Sequence, residues 1–357
     1  MTVFYTCDNN YVWLMGISVI SLFENNKSSE HLNVYLLGEN ISDENKEKLK
    51  EIAEDYKRNI FIVDIPKLDI SECMLRSRWP RSAFTRLYAG ELLPEDLKYA
   101  LYLDCDTIIN KDIRGIWSYT EKGKTFYGIK DAIASGYKKN IGLGRSDAYI
   151  NAGVLLIDLD SLRGKNIPSL LEQFTSRYGE KTCYADQDVL NSIFYDEIGY
   201  LPPEYDVMTL FSYFTYEEGM TFRRPGNYYT KEQVNKAVAD PVIIHYTTLL
   251  HVIRPWFTNT NHPYAEVFEK YRKKSPWSEK NSGEKVFTGA KAKLTGMIIR
   301  LPKPLSLRIL CVLHSFVRPV IAGFIGGMKQ KKKTKEFSTK IFYKNCQINK
   351  KRNIILP

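Results

Sequence analysis

The sequence lacks several patterns that identify common classes of protein. Its 357 residues include six cysteines but no CxxC pair, and the cysteines are too widely spaced to form a zinc cluster. We therefore expect free thiols in a reducing compartment. Asp8 follows the first residues almost at once, before any basic region or long apolar run, so we expect no signal peptide.

Two nucleotide-binding fingerprints are also missing. The turn after the first apolar segment reads Cys7, Asp8, Asn9, Asn10 and contains no GxGxxG, which argues against a dinucleotide-binding dehydrogenase. The string GKT at 123–125 resembles the end of a P-loop, but its first glycine is replaced. An acidic residue in such a turn would repel a pyrophosphate unless a cation lies between them.

Net charge is distributed unevenly along the chain. The total is +10, yet residues 281–357 hold 17 Lys and Arg against 2 Asp and Glu, whereas residues 1–280 hold 34 against 39. A mildly acidic body does not favour a nucleic-acid partner. The basic tail favours an anionic surface instead, most simply a membrane leaflet.

The first 65 residues alternate between apolar strands and helices. The pattern predicts strands at about 3–6, 32–37 and 59–65, with helices at 12–24 and 42–56. Such alternation is typical of an α/β fold with a Rossmann-like, mainly parallel sheet flanked by helices. Ligands of these sheets bind beyond the carboxyl ends of the strands, where Asp8 and Asp104 are expected.

Two carboxylates end one of these apolar segments. In the run Tyr102, Leu103, Asp104, Cys105, Asp106, the acids stand two residues apart, so on an extended backbone they point the same way. A hard divalent cation could lie between them and bridge to phosphate oxygens. Most isolated pairs of this kind are solvated turn residues, so the neighbouring segments must decide.

Three further segments carry polar residues next to apolar runs. Asn151 and Gly153 open an apolar strand, and a glycine in a strand marks a place where the backbone closely approaches a ligand or another segment. Asp186, Gln187 and Asp188 precede a helical pattern, where the acids could simply stabilise the helix N-terminus. His245 ends an apolar strand; such a histidine is usually structural, but beside two aspartates it becomes a candidate third ligand for Mn²⁺ or Mg²⁺.

Together these segments resemble glycosyltransferase family 8, the retaining nucleotide-sugar enzymes that include bacterial lipooligosaccharide galactosyltransferases and glycogenin. The resemblance covers residues 2 to about 257. It rests on six motifs in order: TCDNNY at 6–11, FTRLYAGELLP at 84–94, YLDCDTII at 102–109, YINAGVLLIDL at 149–159, DQDVLN at 186–191 and HYTTLLHVIRPW at 245–256. The family implies a glycosyltransferase A type fold.

The resemblance also implies roles for individual residues. The nucleotide would be held by Thr6, Asp8, Asn10, Tyr11, Asp104 and Cys105. The donor sugar would be held by Arg86, Asp131, Asn151, Asp186 and Gln187. The cofactor Mn²⁺, or Mg²⁺, would be ligated by Asp104, Asp106 and His245. Catalytic roles would fall to Asp186, Gln187, Asp188 and Arg254, the last of which stands where the family usually has lysine.

The implied activity is Mn²⁺-dependent, retaining transfer of galactose or glucose from a UDP-hexose donor. The acceptor would be a saccharide or glycolipid of a cell-surface glycan, of lipopolysaccharide type or another lipid-linked oligosaccharide. A covalent intermediate and front-face attack both remain open, and we favour front-face attack, in which the leaving phosphate accepts the acceptor's proton. The rival interpretation is a catalytically silent, membrane-associated sugar-nucleotide-binding protein.

The C-terminal region differs from the rest. We expect a catalytic domain at 1–275 and a basic, partly disordered helical region at 276–357. A helix that begins just before the apolar stretch 305–328 and runs through it would gather Lys303, Arg308, His314 and Arg318 within an arc of about 140°. Two arginines at the centre of a bilayer would cost several kcal/mol, so the pattern indicates a helix lying on the surface.

A run of lysines at 329–335 then favours attraction to anionic lipid. The expected location is cytoplasmic, peripheral to the inner face of the cell membrane. The alternative is a packed C-terminal helix followed by a solvated tail.

Overall fold

The computed structural model describes residues 1–65 and 81–329. The lysine run after Lys329 and the tail expected to be disordered lie outside the described residues. The strands are β1 Thr2–Asp8, β2 Asn33–Glu39, β3 Asn59–Asp64, β4 Tyr99–Leu103, β5 Thr107–Ile109, β6 Phe126–Lys130, β7 Ile150–Asp158, β8 Ile198–Tyr200, β9 Val207–Met208 and β10 Ile243–His245.

The helices are α1 Val12–Asn25, α2 Asp43–Tyr56, α3 Ala89–Leu92, α4 Ser135–Asn140, α5 Leu159–Arg163, α6 Ile167–Tyr178, α7 Ala185–Ile193, α8 Thr209–Tyr213, α9 Tyr216–Arg223, α10 Lys231–Ala239, α11 Ala265–Arg272, α12 Gly289–Ile299 and α13 Lys303–Cys311. Short 3₁₀ helices lie at Arg81–Tyr88, Arg114–Lys122, Gly179–Lys181, Tyr195–Glu197 and Pro203–Tyr205.

The alternation predicted for the first 65 residues is confirmed, with element ends shifted by one or two residues. Strand β1 alternates its side chains between two cores, so Val3 and Tyr5 pack on one face of the sheet and Phe4 on the other. Helix α1 is buried over 12 of its 14 residues. Helix α2 is capped by the Ser42 side chain and carries Asp43 in its first turn, where a negative charge suits the positive helix end.

The main sheet has seven strands in the order β3-β2-β1-β4-β7-β6-β8. Strands β3, β2, β1 and β4 run parallel to one another. The chain moves outward from β1 through β2 to β3 and then returns to place β4 on the other side of β1. This reversal is the topological switch point at which such sheets bind ligands. The first residues beyond it are Asp8, at the end of β1, and Asp104, directly after β4.

Strand β7 is antiparallel to both of its neighbours, β4 and β6. Its first residues therefore lie at the same edge of the sheet as the last residues of β4. Leu103 pairs with Val154, and the Asp104 amide donates to the Gly153 carbonyl at 2.7 Å. The reversed strand thus brings Asn151 and Gly153 to the edge that carries Asp104.

A second, three-stranded sheet has the order β5-β10-β9. Strand β10 pairs His245 with Thr107 of β5 on one side and with Met208 of β9 on the other. Asp106 immediately precedes β5, and Asp206 immediately precedes β9. The small sheet therefore places His245 between these two carboxylates.

The C-terminal region packs on the body of the protein, the part of the chain that carries both sheets. After α13 the helix continues through a π-helical turn, Val312–Val317, and reaches Lys329; we call Lys303–Lys329 the C-terminal helix. Its Leu307 and Leu310 are buried in the same core as α1. The Ser315 hydroxyl donates to the Phe222 carbonyl at 2.9 Å.

The structure shows which face of this helix meets the rest of the protein. The backbone of His314 accepts from the Tyr137 hydroxyl at 2.6 Å, its imidazole ring lies 5.6 Å from the Tyr137 ring, and Arg318 lies over the Tyr137 and Tyr184 rings. Both side chains therefore face the body of the protein. Periodicity groups residues on one face of a helix but does not say which face meets the protein.

The boundary expected at residue 275 stays a prediction, although the packing of Trp277 favours one slightly further along. Its indole is 4% exposed, donates to Asn45 at 3.2 Å, and fills the space beside Gly16 of α1. A side chain at position 16 would collide with this ring. Trp277 thus closes the outer face of α1.

We expect Trp277→Ala to lower the free energy of unfolding by about 3–5 kcal/mol, because it opens a cavity against α1 and removes a buried hydrogen bond. Urea denaturation of the full chain measures this loss. The control is Tyr213→Ala, which truncates a ring that is 46% exposed and should cost less than about 1 kcal/mol. Equal losses in the two variants would contradict the assigned packing.

Candidate active site

Two carboxylates and one imidazole converge at the carboxyl edge of the main sheet. One ligand atom each from Asp104, Asp106 and His245 lie within 4.8 Å of one another. His245 Nε2 lies 3.2 Å from Asp106 Oδ1 and 3.6 Å from Asp104 Oδ2. The structure thus brings together the three residues that the sequence suggested as metal ligands.

The imidazole of His245 is oriented from behind by a buried carboxylate. Its Nδ1 lies 3.0 Å from Asp206 Oδ1, which leaves Nε2 directed at Asp104 and Asp106. Burial by itself would lower the pKa of His245, but Asp206 and Asp106 raise it well above its ordinary value. The imidazole therefore holds a proton that an entering cation would displace.

This donor set fits a hard or borderline divalent cation. Carboxylate oxygens together with an imidazole suit Mn²⁺ and Mg²⁺. A ligating histidine backed by a carboxylate is a recurrent arrangement in metal sites. Gly153 adds room, because a Cβ there would lie 2.8 Å from Asp104 Oδ2 and would collide with the His245 ring. Only glycine lets β7 pass this close to the cluster.

Arg86 compensates the negative charge on the other side of Asp104. Its guanidinium lies 3.1 Å from Asp104 Oδ1 and 3.3 Å from Asp186 Oδ2, and its centre stands 4.2 Å from the middle of the Tyr102 ring. Burial would lower the pKa of Arg86, but Tyr102, Asp104 and Asp186 raise it. A buried, permanent cation therefore separates the metal-ligand candidates from Asp186.

The remaining sugar-site candidates form a hydrogen-bonded chain. Asn151 donates to Gln187 Oε1 at 3.2 Å, and Gln187 Nε2 donates to Asp131 Oδ2 at 3.0 Å. Asn151 Oδ1 also accepts from the Gly153 amide at 2.7 Å. The chain extends from the Asp104 cluster along the sheet edge, so these amides and carboxylates line one cleft.

Asp186 and Asp188 occupy different environments although both begin α7. Burial raises the pKa of Asp186, the ion pair with Arg86 opposes that rise, and the resulting pKa is about 6. Asp188 accepts from the Tyr149 hydroxyl at 2.7 Å and from the amides of Cys183 and Tyr184 at 2.7 and 2.8 Å. Both oxygens of Asp188 are therefore occupied in anchoring the start of α7.

The residues suggested for nucleotide binding lie around the end of β1. Asp8 accepts from the Asn10 amide at 2.9 Å, which shapes the turn. Tyr11 is 46% exposed and lies close enough to Arg254 and Asp106 to feel their charges. Its ring thus lies at the open side of the cluster.

Two further members of this set lie beneath the turn. The Thr6 hydroxyl is 3.3 Å from the Tyr102 hydroxyl, which donates to Asp104 at 2.6 Å. The Cys105 thiol is buried and donates to the Thr6 carbonyl at 3.7 Å. Thr6 and Cys105 therefore support the floor of the cleft.

Arg254 closes the far side of the cluster. Its guanidinium lies 3.5 Å from Asp106 Oδ2, donates to the Thr248 hydroxyl at 2.5 Å, and stacks 5.1 Å from the Trp256 ring. Its fixed charge, together with His245, lowers the pKa of Asp106 against the opposing effect of burial. The arginine thus stands beside the candidate metal site.

Sequence reasoning missed Asp206 and the role of Tyr102. Asp206 precedes a strand of only two residues, so no long apolar run marked it. Its Oδ2 is buried and has no hydrogen-bond partner within 1–65 and 81–329. The available signal was weak: an acidic residue directly before a short apolar pair, with a histidine on a later apolar strand.

The α/β sheet, with the Asp-Cys-Asp run beyond its switch-point strand and a chain of polar side chains beside it, is the arrangement that the resemblance to glycosyltransferases implies. The chain belongs to glycosyl transferase family 8, whose model matches residues 2–260. The family membership and the glycosyltransferase A type fold predicted from the six motifs are both confirmed.

Several known proteins are similar to this chain. General stress protein A of Bacillus subtilis is 24% identical over 281 residues, which cover 78% of this chain and 95% of that protein. A lipopolysaccharide 1,2-glucosyltransferase of Escherichia coli strain K12 is 25% identical over 329 residues, which cover 90% and 89%. The structure of the galactosyltransferase LgtC with donor and acceptor sugar analogs superimposes with a TM-score of 0.62 at 21% identity, covering 77% of this chain and 96% of that one. This last likeness shows the shared fold.

We expect Asp206→Asn to weaken Mn²⁺ binding about 10–100-fold, because the imidazole of His245 loses the carboxylate that orients it. Calorimetric titration of Mn²⁺ into the full chain with UDP present measures the affinity. The control is Asp240→Asn, which alters an exposed carboxylate paired with Lys111 and should leave the affinity unchanged. Wild-type affinity in Asp206→Asn would remove Asp206 from the site.

Proposed function

We propose that this protein is a Mn²⁺-dependent retaining glycosyltransferase that moves galactose or glucose from a UDP-sugar to a saccharide acceptor of a cell-surface glycan. The observation that carries the proposal is the convergence of Asp104, Asp106 and His245 beside the polar chain of Asn151 and Gln187. The names of the relatives, a lipopolysaccharide glucosyltransferase and a galactosyltransferase, support a hexose donor.

In this proposal the cleft divides into three parts. The turn after β1, with Asp8, Asn10 and Tyr11, takes the nucleoside. A divalent cation held by the Asp104 cluster would neutralise the diphosphate. The donor hexose lies against the polar chain, where buried hydrogen-bonding groups read its hydroxyls and disfavour analogues that leave those groups unpaired.

The environments of the carboxylates support front-face attack over a covalent intermediate. Asp188 has both oxygens occupied by the Tyr149 hydroxyl and two backbone amides. Asp186 is paired with Arg86, and Gln187 is a weak nucleophile. None of the three is a free carboxylate nucleophile, so the β-phosphate leaving group accepts the acceptor's proton in this proposal. Arg254 stabilises the charge that develops on that phosphate.

We expect Asp104→Asn and Asp106→Asn each to lower hexose transfer by more than about 100-fold, since each removes a charged ligand candidate. Release of UDP from a panel of UDP-hexoses with Mn²⁺, with and without saccharide acceptors, measures the activity. Asp240→Asn again serves as the charge-matched control. Full activity in either cluster variant would refute the metal assignment, and UDP binding without turnover of any donor would favour the silent sugar-nucleotide binder.

We further propose that the C-terminal helix lies on the cytoplasmic face of a membrane. The helix is long and apolar enough to span a bilayer by length and composition alone. One face is fastened to the catalytic body, as the contacts of Ser315 and Tyr137 show, which favours a surface position. The opposite face exposes apolar side chains: Leu305, Val312, Phe316, Val320, Phe324 and Met328.

Cationic groups accompany this apolar face. Arg308 and Lys329 are exposed on the same helix, and the neighbouring α12 exposes Leu294 and Met297. An extended apolar patch bordered by lysine and arginine is suited to the headgroup region of an anionic leaflet. The patch thereby supports the peripheral location that the sequence predicts.

We expect the double variant Phe316→Ser, Phe324→Ser to bind anionic vesicles at least about tenfold more weakly, because inserting each ring stabilises binding by roughly 1–2 kcal/mol. Co-sedimentation of the full chain with phosphatidylglycerol vesicles measures this. The control is Tyr213→Ser, which removes an aromatic ring that is 46% exposed on the catalytic body. Undiminished binding of the double variant would contradict the surface assignment, as would resistance of the bound chain to alkaline carbonate extraction.

A further inference from the structure

A cluster of cationic and aromatic residues lies between the catalytic body and the C-terminal helix. We call it the junction cluster; its members are Tyr137, Tyr184, Arg223, His314 and Arg318. The Tyr137 ring lies 5.3 Å from that of Tyr184 and 5.6 Å from that of His314. The Arg318 guanidinium lies 5.7 Å from each tyrosine ring. Two of the five residues come from the helix.

Three hydrogen-bond donors of this cluster are buried without an acceptor in the described part of the chain. They are Tyr184 Oη, Arg223 Nε and His314 Nδ1. Arg223 Nη1 donates to His314 Nε2 at 2.9 Å, so Nδ1 is the nitrogen that carries the imidazole proton. Buried donors left unpaired each cost free energy, so a site with three of them is suited to a ligand that supplies acceptor oxygens.

The charges of the cluster also favour a ligand with anionic oxygens. Among residues 1–65 and 81–329, neither Arg223 nor Arg318 has a carboxylate within ion-pair distance, whereas Arg86 and Arg254 do. Burial and the charges of Arg223 and Arg318 lower the pKa of His314 to about 2, so the imidazole is neutral. Two guanidinium groups without an ion-pair partner in the described residues therefore flank the unpaired donors, although Arg318 is close enough to Asp188 to help lower the pKa of that carboxyl against the effect of burial.

The backbone of the C-terminal helix is irregular at this position. In the π-helical turn Val312–Val317, the carbonyl of His314 would accept from the amide of residue 319, but Pro319 has none. The Tyr137 hydroxyl donates to that carbonyl instead, at 2.6 Å. Such π-helical insertions are frequent at functional sites. The irregularity fixes His314 and Arg318 against the body.

The cluster adjoins the proposed transfer site. Tyr184 directly precedes α7, and its carbonyl accepts from the Gln187 amide at 3.0 Å. Between Tyr184 and Asp186, Ala185 takes a left-handed conformation with φ of 43°, a strained backbone that directs the two neighbours apart. Asp186 enters the donor cleft while Tyr184 joins the junction cluster. The cluster thus lies one helical turn from Gln187, on the side of the C-terminal helix.

We propose that the junction cluster binds an oxyanion, a phosphate or carboxylate, carried by the acceptor saccharide. This inference rests on the proposed function and names the class of its acceptor. Arg223 and Arg318 supply the charge, and the unpaired donors of Tyr184 and His314 supply directed hydrogen bonds. The C-terminal helix is then part of the acceptor site as well as its membrane-facing wall.

The test compares glucose 6-phosphate with glucose as probes, titrated calorimetrically into the full chain saturated with UDP and Mn²⁺. We expect the phosphate to bind at least tenfold more tightly than glucose. Arg318→Leu should abolish that preference, and Arg318→Lys should retain part of it. The controls are Arg308→Leu, which removes an exposed charge from the same helix, and Ser315→Ala, which weakens helix docking without changing charge.

Equal binding of the two probes, or a preference that survives in either Arg318→Leu or Arg223→Leu, overturns the proposal. A preference lost equally in Ser315→Ala and Arg318→Leu also overturns it, because docking alone would then explain the effect. If Arg318→Leu changes binding to phosphatidylglycerol vesicles but not to glucose 6-phosphate, the oxyanion belongs to a lipid headgroup and the acceptor assignment fails. Hydrolysis of UDP-hexose by the unsubstituted chain is measured separately, so failure of the proposed function is distinguishable from failure of this inference.

Discussion

Compensation of carboxylate charge is the interaction on which the rest of the structure depends. The carboxyl edge of the main sheet gathers several aspartates at close range, where their mutual repulsion would destabilise the fold. Arg86 lies between Asp104 and Asp186, and His245 lies against Asp106. Both compensating side chains are almost fully buried, so their partners are held in fixed positions. The same buried cations give the cleft its geometry before any ligand enters.

Strand direction is the second constraint. A sheet made only of parallel strands would bring strand ends to the cleft but no strand beginnings. Because β7 is antiparallel, its first residues meet the end of β4, and Gly153 lets the two backbones approach the His245 ring. The small sheet of β5, β10 and β9 supplies His245 to the same cluster. Two sheets of different size therefore supply one set of ligand candidates.

The sequence predicted much of this because its signals are local. Alternating apolar runs marked the early strands and helices, and acids directly after strands marked Asp8 and Asp104. Asp206 escaped notice because its partner His245 lies 39 residues away and its own strand has two residues. The sequence also did not indicate which face of the C-terminal helix meets the body, since an arc of cations can pack against tyrosine rings as well as face water. Long-range packing, not local propensity, decides such cases.

The attachment of the C-terminal helix has a mechanical consequence. Leu307 and Leu310 share the core of the body, Ser315 is bonded to it, and Pro319 accepts from Asn140 at 2.9 Å. A segment held at so many points along its length cannot swivel as a flexible tether does. Whatever surface receives its apolar face therefore also sets the direction in which the cleft opens. The distance from that surface to Gln187 is therefore fixed by the fold.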